Sequence, residues 1–261
     1  AILSIGFTGC NMRCPFCQNW QISQGTEAAG AFMPPEKIAE KAQSLGLKQI
    51  AYTYSEPLVH AEYVMDCMTA ARSRGIANVL VTNGCVNEEA AKKIIPLADA
   101  ANIDLKCFSE YGYSKTLNGS LTAVKSFIRA AFGTIHTEIT TLIVPGFNDS
   151  EQELAGCIDF IASVSNDIPW HITAYHPAYR WNAAPAKAET IIGITERARK
   201  KLLYCYTGNI NDDNSTFCAK CGSALVTRNG YDIKICGLVK NSGNAGTYYC
   251  KQCGAVTAVK Y

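Results

Sequence analysis

Apolar runs and amphipathic stretches alternate along most of the chain. The apolar runs are rich in β-formers and predict six strands, while the stretches between them carry apolar residues at helical spacing. The predicted strands cover residues 2–7, 49–54, 79–82, 101–105, 135–144 and 170–175. The predicted helices cover residues 35–45, 57–74, 87–97, 121–131, 151–164 and 188–203.

This alternation predicts an α/β fold with a parallel sheet. Strands that alternate with helices form βαβ units, whose right-handed crossovers wind the sheet in one direction. The pattern is compatible with an open doubly wound sheet and with a partial barrel. In both architectures ligands bind at the carboxyl ends of the strands, so functional side chains are expected where each predicted strand ends.

The composition changes near residue 204, where Gly, Asn, Asp and Lys become frequent and the strands look short. This change predicts a core domain over residues 1–203 and a small second domain over residues 204–261. Lys and Arg number 24 and Asp and Glu number 22, a net charge of +2. That balance gives no electrostatic case for binding nucleic acid or a membrane surface. The sequence has no apolar run of about 18 residues, so no membrane span is predicted.

Cysteine is unusually frequent, with 13 residues in the chain. A chain of this length does not need a disulfide framework, and clustered cysteines indicate metal binding in a reducing compartment, so a cytoplasmic location is predicted. The sequence shows no signal peptide. It also lacks an initiator Met and starts inside a predicted strand, so N-terminal sequence is expected to be missing.

Cys10, Cys14 and Cys17 form a C-x3-C-x2-C motif directly after the first predicted strand. Their spacing would also suit three buried thiols on one helix face, but Pro15 disfavours a helix there. A loop around a metal centre fits better. Three thiolates can hold a [4Fe–4S] cluster and leave one iron open to a small molecule. A zinc ion bound by these three cysteines and a distant His is the competing interpretation.

The motif resembles the C-x3-C-x-aromatic-C signature of radical S-adenosylmethionine (SAM) enzymes, with Phe16 as the aromatic residue. The segment GCNMRCPFCQNWQISQ is similar to the AmmeMemoRadiSam group of these enzymes, which are relatives of pyruvate formate-lyase activating enzyme. The resemblance extends over essentially the whole chain. It implies a partial (β/α)6 barrel of the TIM type, a [4Fe–4S] cluster held by the three cysteines, and SAM bound at the open iron.

The resemblance also implies cofactor-binding roles for residues at successive strand ends. Glu56, after the second strand, matches an acidic position whose carboxylate accepts from the SAM ammonium; alone, it would be a turn Glu before a helix. Thr82 and Asn83 match a Thr-Asn-Gly motif of activating enzymes. Val81 stands where those enzymes often have an Asp, which puts a nearby cation site in doubt.

Two further strand ends carry candidate residues. Asp104 and Lys106 point to the same side of the fourth strand and match a D-x-K pattern near SAM; a structural ion pair is the alternative. His176 matches a Tyr-His motif at the end of the sixth strand, and the resemblance places it near SAM. His171 is predicted to be structural.

Cys218, Cys221, Cys250 and Cys253 form two CxxC-Gly knuckles in the second domain. Two knuckles supply four sulfurs, a closed tetrahedral shell that predicts a structural zinc ion in a zinc-ribbon-like domain. A rubredoxin-like iron and a second iron–sulfur cluster are the alternatives. The segment has few large apolar residues, so it is expected to need this metal to fold.

The resemblance implies reductive cleavage of SAM, followed by hydrogen abstraction by the 5′-deoxyadenosyl radical. Similarity to activating enzymes suggests a glycyl residue of a partner protein as the target, and a low-potential electron donor such as flavodoxin or ferredoxin. Membership of the AmmeMemoRadiSam set would make its two other proteins partners. Modification of RNA or of a metabolite, and a non-catalytic iron–sulfur or zinc protein, are the alternatives.

Overall fold

Seven parallel strands form one sheet in the computed structural model, which describes residues 1–25, 30–230, 232–240, 247–257 and 259. The strands pair in chain order, from β1 at one edge to β7 at the other, so each crossover leads to the adjacent strand. This is the predicted partial-barrel architecture. The strands are β1 Leu3–Gly6, β2 Gln49–Thr53, β3 Ala77–Thr82, β4 Ala100–Asp104, β5 His136–Ile143, β6 Trp170–Ala174 and β7 Cys205–Gly208.

Helices connect these strands and cover the outer face of the sheet. Pro35 occupies the first turn of α2, and Gly46 follows its end with a φ of +67°, as the sequence predicts. The helices are α1 Trp20–Ser23, α2 Pro35–Ser44, α3 Ala61–Arg72, α4 Glu88–Ile94, α5 Leu121–Phe132, α6 Glu151–Val164 and α7 Ala188–Ala198. None of the described helices is long and apolar enough to cross a membrane.

The seventh strand was not predicted. It has only four residues and lies where the composition changes, so its pattern is too short to separate from a loop. Its pairing is clear, since Trp170 is in register with Cys205 and Thr173 with Gly208. The parallel sheet therefore extends beyond residue 203. The domain boundary at residues 203 and 204 remains a prediction.

Successive residues along a strand of the sheet differ in burial, because their side chains point to opposite faces. On β5, Thr137, Ile139, Thr141 and Ile143 are buried, whereas the residues between them are half-buried. The first set contributes to the main core, and the second set faces the inside of the curved sheet. The half-buried set includes residues that line cavities at both ends of the barrel.

The C-terminal region folds into two small antiparallel sheets. One contains β8 Thr216–Phe217, β9 Ala224–Asn229 and β10 Asp232–Ile235, and the other contains β11 Leu238–Lys240, β12 Tyr248–Cys250 and β13 Val256–Thr257. Its apolar core is small and centres on Cys218, Leu225, Val226 and Cys250. This arrangement, with its four-cysteine group, fits a zinc-ribbon-like domain.

Two histidines and a glutamate form a polar group at the amino-terminal end of β5 and β6. Glu138 lies 2.9 Å from His136 Nε2 and 2.7 Å from His171 Nε2. A carboxylate only accepts, so both Nε2 atoms donate to it. Burial alone would raise the pKa of Glu138, but the hydrogen bonds from both histidines outweigh burial and hold it well below its usual range. His171 thus joins β5 to β6.

We expect Glu138→Gln to lower the free energy of unfolding at pH 7. Because the pKa of Glu138 is lowered by folding, its contribution is present above the unfolded-state pKa of about 4.3 and is lost as the pH falls below it. The stability difference between the wild type and the variant should therefore shrink as the pH falls below about 4. Urea unfolding midpoints at neutral and acidic pH measure this. A difference that does not change with pH would contradict the assignment.

Candidate active site and metal centre

Cys10, Cys14 and Cys17, called the cluster cysteines below, lie on the loop between β1 and α1 and line one cavity of about 350 Å³. Gly9 begins this loop with a φ of +88°, a conformation that favours glycine. Its amide donates to the Ile22 carbonyl at 2.8 Å. The same cavity is lined by residues from the carboxyl ends of β4, β5 and β6. The loop therefore holds three thiols over the end of the barrel where the fold predicts ligands.

The positions of the cluster cysteines suit an iron–sulfur cluster better than a single ion. A single ion needs its ligand atoms close together, and among the described residues only the C-terminal cysteines bring three or more such atoms within 4.8 Å of one another. In a [4Fe–4S] cluster each thiolate binds a different iron, so its sulfurs stand further apart. No His lines this cavity in the described ranges, which also disfavours zinc held by three Cys and a His.

The protein alone disfavours the thiolate forms of Cys10 and Cys14. Burial raises the pKa of Cys14 to about 11, although the positive charge of Lys106 lowers it in part. Burial also raises the pKa of Cys10, against a hydrogen bond from the Met12 amide. Bound iron would supply positive charge that favours the thiolates. Such an effect is expected of metal ligands in a poorly solvated site.

Hydrogen-bond donors surround two of the three sulfurs. Cys10 Sγ lies 3.3 Å from the Met12 amide and 3.7 Å from Asn83 Nδ2. Cys17 Sγ lies 3.2 Å from Ser23 Oγ. Phe16, between the second and third cluster cysteines, is buried, and its ring centroid lies 5.2 Å from that of Phe147. This packing anchors the motif on the core.

Glu56 ties the ends of β2 and β3 together. Its carboxylate accepts hydrogen bonds from the Leu58 amide at 3.0 Å, Thr82 Oγ1 at 2.6 Å and the Asn83 amide at 2.8 Å. Burial raises its pKa to about 7, even though these three donors favour the charged form. Glu56 and Thr82 are not on the cavity wall. Their hydrogen-bonding capacity is used within the protein, so the predicted contact of Glu56 with SAM gains no support from this geometry.

Asn83 does reach the cavity. Its side-chain oxygen accepts from the Cys85 amide at 2.8 Å, and its nitrogen donates to Asn11 Oδ1 at 2.8 Å. The next residue, Gly84, has a φ of +64°, and a Cβ there would lie 3.1 Å from Ile103 Cγ2. The Thr-Asn-Gly turn therefore needs its glycine for both conformation and space, and this turn delivers the Asn83 amide to the cluster loop.

Asp104 and Lys106 are together on the cavity wall, as predicted. Their side chains form an ion pair of 2.8 Å, and about a fifth of the Lys106 side chain is exposed. Burial alone would lower the pKa of Lys106, but the Asp104 carboxylate raises it above its usual range. The lysine is therefore charged, and the pair presents one cation and one anion beside the cluster cysteines.

His176 is exposed and does not line the cavity. Its Nδ1 lies 3.2 Å from Gln18 Nε2, and Gln18 is on the cavity wall. The structure thus connects His176 to the site through one side chain. Its predicted place near SAM remains a prediction.

The sequence motifs did not indicate several residues of the cavity wall. They are polar side chains around α1, on strands or just after strands, namely Asn19, Ser23, Gln24, Ser55, Thr140, Thr173 and Asn209. A period of two would have indicated Thr140 and Thr173, which lie on the half-buried face of β5 and β6. Ser55 carried no such signal. It has a φ of +66° and donates to the Gly9 carbonyl, a strained conformation of the kind that occurs at functional sites.

The C-terminal cysteines, Cys218, Cys221, Cys250 and Cys253, form a second centre. Their four sulfurs lie within 4.8 Å of one another, with Cys218 and Cys253 at 3.7 Å and Cys221 and Cys250 at 3.7 Å. Four sulfurs arranged tetrahedrally at about 2.3 Å from a zinc ion would be about 3.8 Å apart. The geometry therefore fits one tetrahedral ion.

Comparison with known proteins agrees with this geometry. Residues 4–158 match the model of the Radical SAM superfamily. An uncharacterized protein from Methanocaldococcus jannaschii is 36% identical over 97% of this chain and 76% of its own length. Pyruvate formate-lyase 1-activating enzyme from Escherichia coli K12 is 23% identical over 76% of this chain and 89% of its own length.

Solved structures share the fold at low identity. SuiB from Streptococcus suis, bound to S-adenosylmethionine, has a TM-score of 0.64 and 13% identity over 80% of this chain and 50% of its own. A domain of pyruvate-formate lyase-activating enzyme from Bacteroides vulgatus has a TM-score of 0.54 and 17% identity over 61% of this chain and 98% of its own. The match of the family model over more than half of the sequence, with three cysteines at the predicted barrel end, shows that the chain belongs to the Radical SAM superfamily.

Proposed function

We propose that the protein cleaves SAM reductively at a [4Fe–4S] cluster and uses the resulting radical to abstract hydrogen from a substrate. The observation that carries this proposal is the single cavity that contains the three cluster cysteines and the Asp104–Lys106 pair. Family membership implies both cofactors. When bound, they would supply one-electron cleavage of the S–C5′ bond and a 5′-deoxyadenosyl radical.

The chain's own residues would bind and orient the cofactors. The cluster cysteines offer three ligands and leave one iron for the amino and carboxylate groups of SAM. Asp104 and Lys106 offer opposite charges to a molecule that carries both an ammonium and a carboxylate. Thr140 lines the cavity, and its Oγ1 donates to Asn102 Oδ1 at 2.7 Å, which orients the Thr140 hydroxyl.

We further propose that the target is a glycyl residue of a partner protein, as in activating enzymes, and that a flavodoxin or ferredoxin donates the electron. The sequence similarity to pyruvate formate-lyase activating enzyme supports this class. The resemblance of residues 9–24 supports the AmmeMemoRadiSam group in particular. A cytoplasmic location, predicted from the clustered cysteines, goes with this proposal.

Two other functions remain as alternatives. Modification of RNA is the less favoured, because a net charge of +2 provides little overall attraction for a polyanion; modification of a metabolite needs no such attraction. A non-catalytic iron–sulfur protein would normally close the metal shell with a fourth ligand. The described residues provide three cysteines in the cavity, which favours catalysis.

After anaerobic loading with iron and sulfide, the protein should convert SAM and dithionite to 5′-deoxyadenosine and methionine. Cys14→Ala should lose at least 100-fold of this activity, because one cluster ligand is missing. Cys236→Ala is the matched control, since that thiol is exposed and outside both cysteine groups. Chromatography of the products measures the rates. A loaded cluster that leaves SAM intact would support the carrier alternative.

The substrate class follows from the fate of the abstracted hydrogen. When the protein fraction of a cell extract contains deuterated glycine, we expect deuterium to be transferred to 5′-deoxyadenosine. Mass spectrometry of the 5′-deoxyadenosine measures this transfer. Deuterium that arrives instead from labelled RNA or from a small-molecule fraction would replace the glycyl proposal with the corresponding alternative.

We also propose that the C-terminal cysteines bind one structural zinc ion. Purified protein should contain about one equivalent of zinc beside the iron of the cluster. Cys221→Ser should lose this zinc and lower the thermal stability of the C-terminal domain, whereas Cys236→Ala should keep both. Elemental analysis and thermal unfolding measure the two effects. One extra iron in place of zinc would establish the rubredoxin-like alternative.

A further inference from the structure

We propose that Ser23 and Asn83 are positioning residues that donate hydrogen bonds to the cluster thiolates of Cys17 and Cys10 and raise the reduction potential of the cluster. This inference rests on the proposed [4Fe–4S] site. It goes beyond that site, because it assigns a role to two side chains that do not bind the metal.

The direction of the Ser23 hydrogen bond follows from its neighbours. Gln24 Nε2 lies 3.1 Å from the Met12 carbonyl, which only accepts, so this end of the side chain is the amide NH2. The same nitrogen donates to Ser23 Oγ at 3.2 Å. One lone pair of the hydroxyl is thus occupied, and a metal-bound Cys17 thiolate has no hydrogen to donate, so the Ser23 hydroxyl would donate to Cys17 Sγ at 3.2 Å.

Burial makes this contact specific. Ser23 is only 3% exposed, so water has little access to its hydroxyl. Ser23 ends the short helix α1, whose first residue follows the cluster motif by three positions. The helix thus returns the chain to the third cysteine and places one O–H donor against its sulfur.

The direction of the Asn83 hydrogen bond is fixed by the same reasoning. The Cys85 amide only donates, so the Asn83 atom at 2.8 Å from it is the oxygen. The Asn83 nitrogen must then face Asn11 and Cys10 Sγ, at 2.8 Å and 3.7 Å. The Asn83 main-chain amide donates to the Glu56 carboxylate, and this hydrogen bond holds the backbone of Asn83 in place. The buried carboxylate of Glu56 therefore acts on the site through Asn83.

The three sulfurs consequently differ in their surroundings. Cys10 has two N–H donors, from Met12 and Asn83, and Cys17 has one O–H donor. In the described ranges no donor to Cys14 Sγ is found. Reduction adds negative charge to the cluster, and donors to thiolate sulfur stabilise that charge more strongly in the reduced state. Removing a donor should therefore make the reduction potential more negative.

The test is a redox titration, monitored by EPR, of the reconstituted full chain without SAM. Ser23→Ala and Asn83→Ala should both shift the midpoint potential to more negative values while the iron and sulfide content stays at the wild-type level. Asn83→Ala removes the donor to Cys10 Sγ and Asn11 Oδ1 without adding a charge beside the cluster. Because the two residues act on different sulfurs from different elements, either variant decides the question if the other fails to load a cluster.

Two controls separate a hydrogen bond from a general disturbance of the cavity. Ser23→Thr retains the hydroxyl and should restore the wild-type potential. Thr173→Val removes a hydroxyl from the same cavity wall, where it contacts the Thr141 carbonyl and not a sulfur, and should leave the potential unchanged. If Ser23→Ala or Asn83→Ala holds a cluster but keeps the wild-type potential, this inference is wrong while the proposed function stands. Wild-type protein that holds no cluster overturns the proposed function and this inference with it.

Discussion

The grouping of acidic side chains at the carboxyl end of the parallel sheet is the constraint that shapes this site. Three thiols and Asp104 line one cavity, Glu56 is buried nearby against Asn83, and Lys106 is the cation among the described residues of the cavity wall. Burying anionic groups without partners is costly. In this fold, backbone amides and polar side chains donate hydrogen bonds to Cys10, Cys17 and Glu56. A metal bound by the cysteines would supply further positive charge.

Those donors come from segments far apart in the chain. The Thr-Asn-Gly turn after β3 is held by Glu56 after β2, and it in turn contacts the loop after β1. The left-handed conformation of Tyr54 and Ser55 allows the chain to turn back to Gly9. These hydrogen bonds join the cluster loop to the ends of β2 and β3. Hydrogen-bonded support of this kind is what positions metal ligands.

The C-terminal domain depends on the same chemistry for a different purpose. Its apolar core is too small to offset the entropy of ordering the segment unaided. The four converging sulfurs fit a single ion, and binding of that ion would couple to folding. In our proposal one cysteine set leaves an iron open to a ligand, and the other forms a closed structural site. The number and spacing of the cysteines distinguish the two: three on one loop, and two pairs on separate turns.

The sequence determined the order and type of the main elements, because apolar periodicity and capping residues act over short distances. The helix Glu151–Val164 was predicted with its observed bounds. Sequence also indicated both cysteine groups and the Asp104–Lys106 pair, since ligand spacing and strand alternation are local. Only the tertiary structure showed that the Glu56 carboxylate accepts hydrogen bonds from Thr82 and Asn83. The same is true of the contact between Ser23 and Cys17, and of the pairing of Cys205–Gly208 with the sheet. Each of these contacts joins residues that the local pattern does not link, and hydrogen bonds of this kind exist only once the chain has folded.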